Sequence, residues 1–221
     1  MDLSKSLEFL DPINDIKAPI HIIGIGAMGS RVAELLVRLG IPKIHIWDMD
    51  IVESKNITNQ LYLNKHIGMK KIDALEDLLK EINPNLVVYK HEEYKQQPLA
   101  GYIFLAVDSI ELRYNIANNN KDNKLIKAMF DTRMRLIDAQ SYAADWNNEQ
   151  QKSVFINSMN FTDSEAKEAT PISACGTTLS VAPTVVSTAA FTVANFINIV
   201  KEKQCTSMIF TNAFDFSIIK Y

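Results

Sequence analysis

The feature of this sequence that most constrains its fold is a glycine-rich segment between an apolar run and a helical pattern. Residues 19–26, PIHIIGIG, predict a strand that enters a loop, and the loop carries glycines at Gly24, Gly26 and Gly29. The first glycine allows a tight turn, the second lets the backbone approach a phosphate, and the third lets a helix pack on the strand. The segment therefore predicts a βα unit whose helix N-terminus faces a bound anion.

Apolar periodicity extends this unit into a larger sheet. The pattern after the loop predicts a helix that ends at Gly40 and Pro42, and IHIW follows as a second strand. Two strands joined by so short a helical connection are parallel. The predicted fold is an α/β fold: a Rossmann-like, doubly wound, mostly parallel sheet with a small antiparallel C-terminal extension. Later strands are predicted at 86–89 and 102–107 and in LIKAMFDTRM, RLIDAQSY and MIFTNAFDFSII, with helices at 71–82, 110–118 and 181–203.

The length of 221 residues fits one domain over 1–221. We divide it into an N-terminal arm at 1–18, a nucleotide-binding core at 19–140, and a C-terminal part at 141–221. This last part holds a polar excursion, a long packed helix and a closing strand. The composition is 47% hydrophobic, which is ordinary for a globular domain and excludes a disordered chain.

Charge and cysteine content exclude further classes. The chain has 23 Lys and Arg against 26 Asp and Glu, so its net charge of −3 gives no electrostatic case for a nucleic-acid partner. Two cysteines, Cys175 and Cys205, are too few for a disulfide framework or a four-cysteine zinc site. The N-terminus carries several acids and is not a signal peptide, so we expect a cytoplasmic protein.

One long segment, 169–200, contains no charged residue. It exceeds the roughly 20 apolar residues that a membrane span needs. However, Pro171 and Pro183 interrupt it, and Thr184, Thr188 and Asn195 form a polar stripe at helical spacing. We interpret the segment as a helix packed on several sides at a subunit interface. A membrane span is the alternative interpretation.

Charged residues near the predicted strand ends distinguish two ligand classes. Asp48 follows the second strand, where an acid accepts a hydrogen bond from a ribose hydroxyl. NAD and ATP both carry such a ribose, so Asp48 fits either ligand. Lys71 opens the next helix, where a cation meets the phosphates of a triphosphate. Asp108 follows the strand YIFLAV and would repel pyrophosphate unless a metal ion lay between them. Its alternative role is that of a helix N-cap.

Between Pro19 and Asn118 the motifs GxGxxGS, LxRxG, DxDxV, NxxxQ, GxxK and INP occur in this order. In these motifs and their order the sequence resembles the ThiF/MoeB/HesA superfamily, the adenylating enzymes related to ubiquitin-activating enzymes. The segment SACGTTLSVAPTVVSTAAFTVANFINIVK resembles the cysteine-containing segment that precedes the last long helix of the family. FDTRM is similar to a segment of short, often phage-borne ThiF-like proteins. The resemblance implies ATP and Mg²⁺ as cofactors, a homodimer, and a ubiquitin-fold carrier protein whose C-terminal carboxylate is adenylated.

The resemblance also assigns roles to single residues. Asp108 would hold Mg²⁺, and Lys71 would contact the phosphates, with Lys70 as the alternative. Cys175 would accept the activated carrier or a sulfur atom, or else it is a small buried residue. The remaining nucleotide contacts would come from Gly24, Gly26 and Gly29 at the phosphates, Asp48 at the ribose, and Asp50 and Asn56 at the border of the nucleotide.

Two arginines of the family pattern are missing. The family has an arginine where this chain has Asn59, and another on an N-terminal helix, whereas the first arginine here is Arg31. Each such arginine neutralises charge in the transition state. We predict that Arg133 of FDTRM substitutes as a catalytic residue, with Arg31 and Arg113 as alternatives. The competing interpretation pairs Arg133 with Asp131 or Asp138 on the surface.

Three functions follow from these observations. The first is an ATP-dependent adenylyltransferase that activates a carboxylate. The second is a catalytically degenerate ThiF-like protein that binds a nucleotide or a partner, which the missing arginines favour. The third is an NAD(P)-dependent oxidoreductase, which would leave Lys71 and Asp108 without a role.

Overall fold

A computed structural model describes residues 2–5, 8, 16–173, 179–202 and 204–221. This part of the chain contains fourteen helices and strands, and two short 3-10 turns, Ser54–Thr58 and Asn64–His66, lie between the second strand and the second helix. In chain order the elements are β1 (Ile20–Ile23), α1 (Ala27–Arg38), β2 (Lys43–Trp47), α2 (Lys71–Ile82), β3 (Val87–His91), β4 (Gly101–Leu105), α3 (Ile110–Asn119), β5 (Ile126–Arg135), β6 (Asp138–Asp145), α4 (Glu149–Asn157), α5 (Asp163–Glu168), α6 (Ala182–Glu202), β7 (Met208–Asn212) and β8 (Ser217–Lys220).

The strands form one eight-stranded sheet in the order β3-β2-β1-β4-β5-β6-β7-β8. In this spatial order, neighbouring strands between β3 and β5, which include β2, β1 and β4, are parallel. Neighbouring strands from β5 to β8 are antiparallel. Ile22 lies in register with Ile46 on β2 and with Phe104 on β4. From β1 the chain runs to β2 and β3 on one side and then crosses back to β4 on the other side of β1. This reversal opens a crevice at the carboxyl ends of β1 and β4, where open α/β sheets bind ligands. The predicted Rossmann-like fold with an antiparallel C-terminal extension is confirmed.

Helices cover both faces of the sheet because successive strand residues point to opposite sides. Ile20 and Ile22 belong to a core formed with α1, α2 and α6, whereas Ile23 belongs to a second core with α3 and α4. The predicted apolar stripe of α1 supplies Val32 and Leu36 to the first core. Each fully buried aliphatic side chain of this kind contributes about 1.5–3 kcal/mol.

The segment after β5 is ordered as part of the sheet. β5 and β6 form an antiparallel hairpin, with Phe130 opposite Ala143, and β6 then pairs with β7. The subdivision at residue 140 therefore falls inside β6. The polar excursion contains α4 and α5, which lie between β6 and α6 in the chain.

By length and hydropathy alone, the long helix α6 could cross a membrane over Ala182–Lys201, and half of this segment is buried inside the fold. Two polar side chains of α6, Thr192 and Asn195, form hydrogen bonds to other parts of the fold. Thr192 lies 2.8 Å from the Ser141 hydroxyl on β6, and the Asn195 side chain donates to the Thr206 carbonyl at 2.8 Å. A core helix shows this packing, and core helices pass the same hydropathy test, so the apolar length of α6 is weak evidence for a membrane span.

Candidate functional site

The glycine loop between β1 and α1 is tightly packed at two of its three glycines. Gly24 has φ +85° and donates its N–H to the Trp47 carbonyl at 2.9 Å, and a Cβ at this position would lie 2.7 Å from the backbone of Ala106. A Cβ on Gly29 would lie 1.9 Å from the Gly24 carbonyl oxygen. Gly24 and Gly29 therefore let the loop turn and let α1 approach β1 closely.

Gly26 instead leaves open space. A Cβ at Gly26 would have the Gln60 side-chain nitrogen, 3.9 Å away, as its nearest neighbour. Gly26 is also the N-cap of α1, and within the described structure no side chain accepts a hydrogen bond at that cap and no acidic residue occupies the first turn. The N–H groups and the positive end of α1 thus face an open region that suits an anion.

Asp48, Asp50 and Lys71 meet beside this loop. Asp48 accepts hydrogen bonds from the Ile25 N–H at 3.0 Å and the Asp50 N–H at 2.9 Å. The Lys71 ammonium lies 2.7 Å from the Asp50 carboxylate and 3.7 Å from that of Asp48, and its side chain is only 8% exposed. Lys70 points elsewhere and pairs with Glu92 on the surface. The structure thus brings the Lys71 ammonium, and not that of Lys70, to the carboxylates beside the glycine loop.

In the segment that follows β2, one residue orders its own turn and another bonds to the glycine loop. The Asn56 side chain accepts the Glu53 N–H at 2.8 Å and so orders the turn in which it lies. Tyr62 donates to the Ile25 carbonyl at 2.7 Å, and burial, followed by the carboxylates of Asp48 and Asp50, raises the pKa of Tyr62 and keeps it a donor. Tyr62 was not predicted as a site residue, because a single tyrosine in a polar segment belongs to no periodic pattern that would indicate its role.

Asp108 lies just beyond β4 at the same sheet edge. Its carboxylate is exposed and has no hydrogen-bonding partner among the residues that the structure describes. The N-cap of α3 is Ser109, which accepts the Leu112 N–H at 3.1 Å, and Asp163 accepts the Ile110 N–H at 2.6 Å. The alternative role of Asp108 as a helix cap is therefore wrong, because other side chains fill it.

Asp163 is a second residue that the sequence analysis missed. It also accepts the Ser109 hydroxyl at 2.7 Å. Although burial opposes its ionisation, the hydrogen bonds from Ser109 and Ile110 hold the pKa of Asp163 below its ordinary value. Asp163 thus binds the helix start as a carboxylate and leaves Asp108 unengaged.

Arg133 lies on the α3 and α4 side of the sheet, away from the helix that the glycine loop opens. Its three guanidinium nitrogens donate to Asp131 at 2.6 Å and to the Ser158 carbonyl and hydroxyl at 2.7 and 2.8 Å. The guanidinium also lies 4.4 Å from the centre of the Tyr142 ring. The predicted role of Arg133 as a catalytic residue that neutralises transition-state charge has no direct support in this geometry, because protein groups engage all three guanidinium nitrogens. The pairing with Asp131 is present, but it is buried and not on the surface.

The remaining residues that were considered from the sequence have other contacts. Asn59, which stands in place of the family arginine, donates its side-chain N–H to the Ser180 hydroxyl at 2.7 Å. Arg31 pairs with Glu34 on its own helix at 3.1 Å. Cys205 is partly buried, and burial raises the pKa of its thiol to about 11, which fits a structural residue. Cys175 lies outside the described residues.

A groove of about 530 Å³ adjoins the Asp48 side of the site. Its volume is within the usual range for small-molecule sites. It lies where β2 and β3 end, next to the glycine loop and not over it. The residues that line the groove are Met49, His91, Glu92, Glu93, Lys95 and Gln97.

Among the described residues no group of three His, Cys, Asp or Glu side chains converges as a metal site. A magnesium ion is usually held by one or two carboxylates together with phosphate oxygens of the substrate and water. The single unengaged carboxylate of Asp108 therefore fits a magnesium ion that arrives with a nucleotide, and does not fit a metal cage made by protein alone.

Comparison with known proteins is consistent with this arrangement. The chain is 36% identical over 72 residues to ubiquitin-like modifier-activating enzyme 5 of Caenorhabditis elegans, which covers 33% of this chain and 17% of that protein. The Arabidopsis thaliana protein of the same name is 41% identical over 69 residues, 31% of this chain and 16% of that protein. The similarity thus spans less than a fifth of each of these two relatives.

Solved structures match over nearly the whole chain. A crystal structure of PaaA superposes with a TM-score of 0.74 at 17% identity, covering 97% of this chain and 75% of that one. The crystal structure of E. coli MccB with ATP superposes with a TM-score of 0.68 at 18% identity, covering 96% of this chain and 65% of that one. At these identities the matches show a shared fold. The sequence model that describes the ThiF family matches residues 13–220 of this chain. The chain therefore belongs to the ThiF family.

Proposed function

We propose that this protein is an ATP-dependent adenylyltransferase that activates a carboxylate. The observation that carries the proposal is the pair of charges beside the open glycine loop: the buried ammonium of Lys71 and the unengaged carboxylate of Asp108. A triphosphate with its magnesium ion uses both charges, whereas an NAD(P)-dependent oxidoreductase uses neither. Two comparisons add support, since E. coli MccB was crystallised with ATP and the curated relatives are named activating enzymes.

In the proposed reaction a substrate carboxylate oxygen attacks the α-phosphorus of ATP. The new bond joins this oxygen to phosphorus, the bond to the bridging oxygen breaks, and pyrophosphate leaves with the bonding electron pair. The residues Gly24, Gly26 and Gly29 and the N-terminus of α1 would hold the phosphates, and Asp48 would accept a ribose hydroxyl. Asp50 and Asn56 would border the nucleotide, Asp50 through its ion pair with Lys71.

Charge is the main obstacle to this reaction, because a carboxylate must approach a triphosphate. Lys71 would neutralise phosphate charge once the nucleotide competes with Asp50 for its ammonium. A magnesium ion bound by Asp108 would add further neutralisation. Asp108 thus serves as the metal ligand, and Lys71 as the cation that contacts substrate.

For the substrate, we propose the C-terminus of a small ubiquitin-fold carrier protein. The support is the name of the curated relatives, which are ubiquitin-like modifier-activating enzymes, and a structure of MccB in complex with N-formylated MccA. Cys175 is proposed to accept the activated carrier or a sulfur atom after adenylation. The proposed location is the cytoplasm, with no nucleic-acid or membrane partner.

A homodimer completes the proposal. Five large hydrophobic side chains between β2 and α2 are exposed, and a monomer would leave them in water. The backbone brings Ile51 and Met69 near each other, because Val52, the residue after Ile51, donates its N–H to the Met69 carbonyl at 2.8 Å. The exposed residues are Met49, Ile51, Leu63, Ile67 and Met69. We expect light scattering at micromolar concentration to give the mass of two chains, and the mass of one chain would contradict the homodimer.

The Asp108→Ala variant tests the metal and nucleotide assignment. Wild-type protein should bind ATP about tenfold more tightly with Mg²⁺ than without it. Asp108→Ala should remove this difference, because no other carboxylate near the loop is unengaged in the part of the chain that the structure describes. Isothermal titration with ATP, with and without Mg²⁺, measures both affinities. Asp122→Ala removes another exposed carboxylate, on the turn after α3, and serves as the control. A full metal dependence in Asp108→Ala would contradict the assignment.

A second candidate function is favoured by Asn59. This residue replaces the family arginine and its amide is engaged by Ser180, so it brings no charge to the site. A degenerate protein of this kind would bind ATP without transferring the adenylyl group. ATP binding without pyrophosphate exchange distinguishes it from the enzyme.

A further inference from the structure

Arg113 follows Asp108 by five residues in the chain, and its side chain bonds to the backbone immediately before Asp108. It projects from α3, its side chain is 8% exposed, and its Nε donates to the Val107 carbonyl at 2.7 Å. Nη2 donates to the same carbonyl, which belongs to the peptide bond that joins Val107 to Asp108. Arg113 thus holds the backbone at the point where Asp108 leaves the sheet.

The same guanidinium reaches the next strand. Nη1 of Arg113 pairs with the Asp131 carboxylate and donates to the Thr132 carbonyl at 2.7 Å. One side chain therefore ties the carboxyl end of β4 to β5. A planar guanidinium satisfies three acceptors in this way, whereas a lysine ammonium is a point charge on a flexible stem.

Asp131 connects Arg113 to Arg133. Its side chain is fully buried, and its second oxygen accepts the Arg133 Nε at 2.6 Å. Arg133 in turn holds the end of α4 through Ser158. A buried carboxylate between two arginines leaves one positive charge in excess, and the carbonyls of Val107, Thr132 and Ser158 face that charge. Such a network is costly to bury unless each group is bonded, as it is here.

We propose that Arg113, Asp131 and Arg133 form one positioning unit, which fixes Asp108 for metal binding and sets a buried positive charge beneath the phosphate site. This inference rests on the proposed function. It gives Arg133 an indirect role through Asp131 in place of contact with phosphate. It also supplies positive charge at the end of β4, although the family arginine at Asn59 is missing.

The inference predicts a specific defect in Arg113→Lys. The charge is kept, but lysine cannot bond Val107, Asp131 and Thr132 together, so Asp108 loses its fixed position. We expect the tenfold gain in ATP affinity on adding Mg²⁺ to fall to about twofold, while the affinity without Mg²⁺ stays within about twofold of wild type. Because Arg113 acts through Asp108, adding Arg113→Lys to Asp108→Ala should change the metal dependence no further.

Isothermal titration with ATP, with and without Mg²⁺, measures these quantities. Arg38→Lys is the matched control, because Arg38 is exposed on α1 and pairs only with Glu34 among the described residues. If Arg113→Lys does not fold, Ser158→Ala takes its place. This milder change removes one acceptor of Arg133, and we expect it to reduce the metal-dependent gain by about threefold.

The two hypotheses fail in different ways. A folded Arg113→Lys, or in its place Ser158→Ala, that keeps the full gain with Mg²⁺ would overturn the positioning unit and leave the proposed function intact. A wild-type protein that binds no ATP would overturn the proposed function, and the inference with it. A purely structural role would lower thermal stability without a selective loss of the magnesium-dependent gain.

Discussion

Gly29→Ala is expected to destabilise the protein by about 3 kcal/mol or more. The added Cβ would lie 1.9 Å from the carbonyl oxygen of Gly24, which is backbone that cannot move without shifting β1 or α1. Both elements contribute to the same hydrophobic core, so the strain spreads through the part of the fold that carries the glycine loop. Chemical denaturation followed by circular dichroism measures the loss.

Gly26→Ala is the matched control for this change. Its Cβ has no neighbour closer than the Gln60 amide at 3.9 Å, so the free energy of unfolding should stay within about 1 kcal/mol of wild type. The same Cβ would occupy the space in which a phosphate approaches the backbone, so ATP affinity should fall at least tenfold. Equal losses of stability in the two variants would contradict the packing described for the loop.

The second large effect is expected from Lys71→Met. This substitution keeps the apolar stem and removes the ammonium that lies 2.7 Å from Asp50. Two carboxylates, those of Asp48 and Asp50, would then face the phosphates without a cation. We expect pyrophosphate exchange to fall by about 10²-fold, which corresponds to about 2.7 kcal/mol in the transition state.

Lys70→Met is the control for Lys71→Met. Lys70 is adjacent in the chain and equally charged, but it is exposed and pairs with Glu92. Its substitution should leave exchange within about twofold of wild type. If both variants lose activity equally, general electrostatics and not a defined contact governs the rate.

The sequence predicted the glycine loop and the central strands well because both are specified locally. The three glycines lie within six residues. Their spacing predicts a tight turn after β1, close packing of α1 on β1, and close approach of a phosphate to the backbone. Helical periodicity also identified the residues that α1 places in the core. Sequence spacing left Lys70 and Lys71 equivalent, and only the direction in which each side chain leaves the start of α2 separates them.

The contact of Arg133 with Ser158 and that of Asp163 with the start of α3 could not be predicted from the sequence, because they depend on how distant segments meet. Ser158 is 25 residues from Arg133, and Asp163, which accepts the Ile110 N–H, is 53 residues from Ile110. Both partners belong to the polar excursion, where no periodic pattern indicates which surface the chain will cover. A motif such as FDTRM therefore located an important arginine without indicating which way it faces.

Transfer of an adenylyl group to a carboxylate can be measured as ATP–pyrophosphate exchange with Mg²⁺ and a panel of ubiquitin-fold proteins that end in Gly-Gly. We expect incorporation of labelled pyrophosphate into ATP that requires one of these carriers and that exceeds the rate of Lys71→Met about 10²-fold. Wild-type protein that binds ATP yet exchanges no faster than Lys71→Met with every carrier would contradict the account.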